Sequence, residues 1–82
     1  MSLAYVRFKL TDGRTVDLGP GDIIGRLAGA ALRLNEAHIS EAHALVSLRG
    51  DQLMLLALRG VLSVNGRPCA SVVLQPGVVV HL

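Results

Sequence analysis

The sequence predicts an all-β sandwich or barrel, and two observations carry that expectation. Short stretches rich in Val, Leu and Ile recur along the chain, and Gly, Pro, Asn or Asp turn signals punctuate them about every 8–12 residues. With 82 residues the chain makes one domain with a core of moderate depth. Hydrophobic residues are 51% of it, yet it holds one Phe, one Tyr and no Trp, so aliphatic side chains must build the core.

The elements follow in order. Residues 5–10 alternate in character and precede the turn signal Asp12-Gly13, after which residues 14–18 read as the returning strand of a hairpin. Gly19-Pro20-Gly21-Asp22 is tight-turn punctuation, and residues 22–26 form a third short strand ending in Gly25-Arg26. Leu27-Ala28-Gly29-Ala30 has helix-favouring Ala and Leu but no polar face. It reads as a loop into a short strand at residues 31–34, with a helix as the rival. Asn35-Glu36-Ala37-His38 is a polar connection. Residues 44–49 and 52–57 are strands joined at Gly50-Asp51, and Leu62-Ser63-Val64 and Pro68-Cys69-Ala70 flank a turn at Asn65-Gly66. Residues 71–74 and the near-continuously apolar 78–82 complete the series, the last reading as a central or covered strand. An uncovered version of that strand would be a sticky edge and a route to self-association.

Composition bounds the function. The net charge is +2, and the seven arginines and single lysine are spread along the chain. That lacks the clustered footprint of a nucleic-acid binder. Cys69 is the only cysteine, which excludes an internal disulfide and fits a reducing, cytoplasmic setting. The longest apolar runs fall far short of a bilayer crossing, and Met1-Ser2-Leu3 reads as an expression scar without a leader. The stop at Leu82, inside a strand-like run, reads as the end of a domain excised from a longer protein. His38 and His43 have no carboxylate at a familiar zinc spacing, so no metal and no cofactor are expected. Ser40 and His43, three apart on a strand, would face opposite sides, and no Gly-x-Ser-x-Gly is present. An enzyme is not expected.

What remains is one constellation. Gly25-Arg26 ends one strand, and Ser40-Glu41-Ala42-His43 opens another. Arginine offers a planar, permanently charged fork that matches phosphate oxygens, and serine adds a neutral donor. The bland alternatives are an Arg26 paired with Glu36 or Asp22, and a Ser40 satisfying local backbone groups.

Taken together, Ile24-Gly25-Arg26, the run Leu34-Asn35-Glu36-Ala37-His38-Ile39-Ser40-Glu41-Ala42-His43-Ala44, Val64-Asn65-Gly66 and Leu74-Gln75-Pro76-Gly77 resemble a forkhead-associated (FHA) domain. The resemblance implies a small β-sandwich of the SMAD/FHA-like type, with about seven to ten short strands, that recognises phosphothreonine in a protein or peptide. By position it makes Arg26 the phosphate-gripping arginine and Ser40 the phosphate-bonding hydroxyl. Gly25 would allow close backbone approach, His43 would brace the loop from behind, and Asn65-Gly66 would be a hairpin turn of the fold. Two positions depart from the family pattern. Glu41 stands where a basic residue usually follows the serine, and residues 57–62 replace an asparagine-bearing loop that holds the peptide backbone. Arg59 is the cation in that shortened stretch and the third candidate phosphopeptide contact. The expected function is a non-enzymatic interaction module of a bacterial-type signalling or regulatory protein. The alternative is a degenerate scaffold for phosphorylation-independent assembly.

Overall fold

The computed structural model describes residues 5–82, all of its regular structure being strand. Residues 1–3, read above as a scar, lie outside the described residues. Nine strands follow one another: β1 (Val6–Lys9), β2 (Thr15–Leu18), β3 (Ile23–Gly25), β4 (Leu32–Arg33), β5 (Ala44–Arg49), β6 (Gln52–Ala57), β7 (Leu62–Val64), β8 (Arg67–Cys69) and β9 (Ser71–Val73).

A five-stranded sheet of order β4-β3-β5-β6-β9 forms one layer. The hairpins β1-β2 and β7-β8 stand against it, together with residues 78–82. Strand alternation decides what is buried. Ile24, Leu32, Ala44, Val46, Leu55 and Val72 turn inward from the large sheet, where they meet Leu18 and Leu62 from the hairpins. Val6, Phe8, Val16, Val64, Cys69, Val80 and Leu82 pack around that cluster, half-buried. Val46 lies opposite Leu55, and Ala44 opposite Ala57. These cross-strand pairs form the spine of the core.

The turns obey the glycine and asparagine signals. Val64 pairs with Arg67, leaving a two-residue loop in which Asn65 (φ 53°) and Gly66 (φ 76°) are both left-handed. That is the type I′ geometry that matches the twist of a hairpin. The β1-β2 turn is longer. Gly13 lies at φ 91°, and the Asp12 carboxylate accepts the Arg14 amide at 3.0 Å.

The segment at 27–30 is a loop leading into β4, not a helix. The expectation of a strand over 78–82 is corrected. This segment makes only an isolated bridge, Ser63 to His81, and Val79 is 64% exposed. Its composition favours a strand, but among the described residues no neighbour offers it a continuous ladder. Val80 and Leu82 turn toward the core. Between the β1-β2 hairpin and residues 74–82 a groove of about 1160 Å³ stays open, lined by Val6, Phe8, Leu34, Ile39, Leu53 and Leu82 among others.

Candidate functional site

Strand directions bring three loops to one end of the sandwich. β4 runs parallel to β3, and β5 runs antiparallel to it. The C-terminal ends of β3 and β4 therefore lie level with the start of β5. β6 returns antiparallel to β5, so Ala57 pairs with Ala44 at the same level. The loops 26–31, 34–43 and 58–61 consequently meet there.

Gly25 makes the first junction. It is buried, and a Cβ at this position would collide with the carbonyl of Glu41. Only glycine lets these two segments come so close. The approach continues one residue further, where the Arg26 amide donates to the Ser40 carbonyl at 3.1 Å and the Leu27 amide to the Glu41 carbonyl at 3.2 Å. The two residues that the sequence pointed to are thus backbone neighbours. The Arg26 side chain is exposed, and its Nε donates to the Ile39 carbonyl. An Nε tied to backbone leaves the two terminal amino groups of the guanidinium for another acceptor.

Neither bland partner of Arg26 is realised. Among the described residues the ion pairs are Arg7–Asp17, Arg14–Asp12 and His38–Glu36. Asp22 instead accepts the Gly19 amide. Glu41 is exposed and makes no ion pair among the described residues. Its carboxylate does not serve as an internal counter-ion to Arg26.

Ser40 and Arg59 meet directly. The half-buried Ser40 donates its hydroxyl to the Arg59 carbonyl at 3.0 Å. The Arg59 amide donates in turn to the Ala42 carbonyl at 3.2 Å. The Arg59 side chain is exposed at the same end of the sandwich. Rotation about one bond releases the serine hydroxyl toward an outside acceptor, because hydroxyl hydrogens turn to suit their partner.

His43 joins the loops from beneath. Its ring is 1% exposed and fully satisfied: Nδ1 accepts the Ser40 amide at 3.1 Å, and Nε2 bonds the Val61 carbonyl at 2.9 Å. An accepting Nδ1 fixes the neutral tautomer, with its proton on Nε2 donated to Val61. The His43 carbonyl takes the Leu58 amide at 3.0 Å, and the His43 amide donates to Ile24 at 2.9 Å. One buried residue thereby links three segments, its ring joining the Ser40 loop to the stretch before β7 and its backbone amide tying both to β3. Gly60 lies flat against that ring, with no room for a Cβ. Sequence reasoning missed Gly60. The available signal was a glycine placed directly after Arg59 in a shortened loop.

Asn65 and Gly66 form the β7-β8 turn. Cys69 is half-buried, its thiol 3.8 Å from the Leu62 carbonyl.

A profile of the FHA domain matches residues 23–82. The chain belongs to the FHA family. A structure from work on phosphothreonine-dependent FHA domain interactions superposes on this FHA domain with a TM-score of 0.82 and 31% identity, covering 95% of this chain and 86% of its own. The FhaA FHA domain, complexed with the intracellular domain of Rv3910, gives a TM-score of 0.74 and 32% identity over 84% of this chain and 79% of that one. Mycobacterium tuberculosis EmbR, in complex with a low-affinity phosphopeptide, gives 0.82 and 25% identity over 99% of this chain, which spans only 22% of EmbR. No curated protein sequence matches the chain. As an FHA domain it is a β-sandwich interaction module, and the arrangement of Arg26, Ser40 and Arg59 is its candidate ligand end.

Proposed function

We propose that this FHA domain binds a phosphothreonine-containing segment of a partner protein, or of its own chain, at the end of the sandwich where the loops carrying Arg26, Ser40 and Arg59 meet. The supporting observation is the backbone junction at 3.1 Å between Arg26 and Ser40, beside a guanidinium that no carboxylate neutralises among the described residues. The terminal amino groups of Arg26 grip the phosphate as charge-assisted donors, the strongest hydrogen bonds available to an exposed site. Ser40 leaves the Arg59 carbonyl to add a neutral donor, and Arg59 supplies a second cation at this end. Gly25 and His43 hold the geometry. The setting is cytoplasmic, within a bacterial signalling or regulatory protein, and the FHA structures bound to phosphopeptide or partner are consistent with such a role.

Titration of a phosphothreonine peptide library against its unphosphorylated twin tests this reading. Phosphate-dependent binding is expected, with an about tenfold or greater loss in Arg26→Ala, the scale of one charge-assisted pair. Equal binding of the two libraries would overturn it. A second reading, phosphorylation-independent assembly on a degenerate scaffold, is favoured by the open apolar groove beside β1 and residues 74–82. That reading expects concentration-dependent size in light scattering, indifferent to phosphopeptide.

A further inference from the structure

Beside Arg26 and Arg59, a third arginine at this end is unused by the proposed contacts. Arg33 closes β4, level with Gly25 in the parallel register. Leu32 beside it is buried, so alternation turns Arg33 outward, where it is exposed. Its Nε donates to the Arg26 carbonyl at 3.1 Å. Both arginines are therefore held in the same manner. Arg26 is fixed at Nε by the Ile39 carbonyl and Arg33 by the Arg26 carbonyl, each keeping its terminal amino groups for an outside acceptor.

Neither is in an ion pair among the described residues. Two tethered guanidiniums with no counter-charge repel each other, and one phosphate gripped by Arg26 leaves the second fork unfilled. β4 is also an edge strand of the five-stranded sheet, and among the described residues no strand pairs with its far side.

We propose that Arg33 forms a second anion subsite, which binds the carboxylate or phosphate of a residue flanking the phosphothreonine. The proposal rests on the reading of Arg26 and Ser40 above and adds to it a preference for ligands carrying two anions. The guanidinium fork fits either group in the same bidentate way. An extended ligand advances about 3.3 Å per residue, so a neighbour one to three positions from the phosphothreonine lies within reach of a side chain anchored at the Arg26 carbonyl.

The test scans a phosphothreonine peptide library in which each flanking position in turn is Ala, Asp or a second phosphothreonine. Binding is measured to the wild-type domain, Arg33→Gln and Arg49→Gln. Arg49 ends β5 at the opposite end of the sandwich and controls for net charge. One flanking position is expected to gain about fivefold from Asp and more from phosphothreonine, the scale of one exposed charge pair. Arg33→Gln abolishes that ratio and Arg49→Gln preserves it. The ratio separates ligand contact from a structural role, since loosening of the Arg26 loop weakens all peptides together. If the singly phosphorylated peptide binds but no second anion helps, or Arg33→Gln keeps the gain, the subsite is overturned and the Arg26 site stands. If phosphorylation of threonine confers no binding, the site reading fails and the subsite falls with it.

Discussion

At the residue scale, the candidate site is a balance between one aimed cation and one misplaced anion. Glu41 follows Ser40 directly, exposed and in no ion pair among the described residues. A carboxylate a few ångströms from a bound phosphate costs about 1 kcal/mol in water. Glu41→Gln is therefore expected to tighten phosphothreonine-peptide binding about fivefold, as read by fluorescence polarisation, with the gain shrinking at high salt. An unchanged affinity would mean that Glu41 points away from the ligand. Gly60 supplies the opposite kind of sensitivity. A Cβ there enters the His43 ring, which hydrogen bonds at both nitrogens hold in place. Gly60→Ala should lower stability by about 1–3 kcal/mol, the cost of overpacking. Gly29→Ala, with open space around it and no left-handed φ, should stay within about 0.5 kcal/mol. Matched urea titrations distinguish the two. Arg26, Ser40 and His43 could be picked out of the sequence because their spacing is part of a family pattern. The bond from Ser40 to Arg59 and the contact from His43 to Gly60 could not, because they join segments whose meeting depends on three loop paths.

At the scale of elements, the hairpins were legible because their turns demand particular residues. Asn65-Gly66 announces a left-handed pair, and the adjoining strands fall into register around it. Residues 78–82 were misread, since an apolar run reports burial preference but not whether a ladder partner exists. The β1-β2 hairpin carries a cross-strand pair directly opposite in register, Arg7 with Asp17, joined by two hydrogen bonds at 2.7 and 2.9 Å. The hydrogen bond from Arg7 holds the Asp17 carboxyl below its ordinary value, and the Arg14 backbone amide does the same for Asp12 at the turn. Because both carboxyls are depressed in the folded chain, their contribution to stability is complete above the ordinary carboxylate range and is lost as pH falls through the folded values. NMR titration of the carboxyl carbons should find both groups titrating low. Arg7→Ala should return Asp17 toward the ordinary range and leave Asp12 where it is. Parallel movement of both would show a general charge effect and not this pair.

For the whole molecule, the physical question is how a small sandwich without Trp positions three loops firmly. The all-β class was readable from punctuation alone, whereas the pairing order β4-β3-β5-β6-β9 was not, because β3 lies between a parallel β4 and an antiparallel β5, and β9 joins β6 through contacts distant in sequence. Among the described residues nine buried aliphatic side chains form the interior, and a groove runs along its flank beside β1. At about 0.05–0.15 kcal/mol per residue, a chain of 82 residues has a stability of about 4–12 kcal/mol. One central truncation is therefore a large fraction of the total. Leu55, 1% exposed, faces Val46 and Val72 across two ladders at the middle of the large sheet. Leu55→Ala should cost about 2–5 kcal/mol through lost transfer energy and the cavity left behind. Leu48 lies on the same face of the adjacent strand but is 45% exposed at its end, and Leu48→Ala should cost below about 1 kcal/mol. Urea unfolding with unchanged slopes measures both. Since the Ser40 loop is anchored through His43 to β3, whose Ile24 shares this core, the Leu55 variant should also lose apparent phosphopeptide affinity only to the extent that it unfolds. Affinity that falls while the domain remains folded would show that the core sets the geometry of the three loops as well as the stability of the fold.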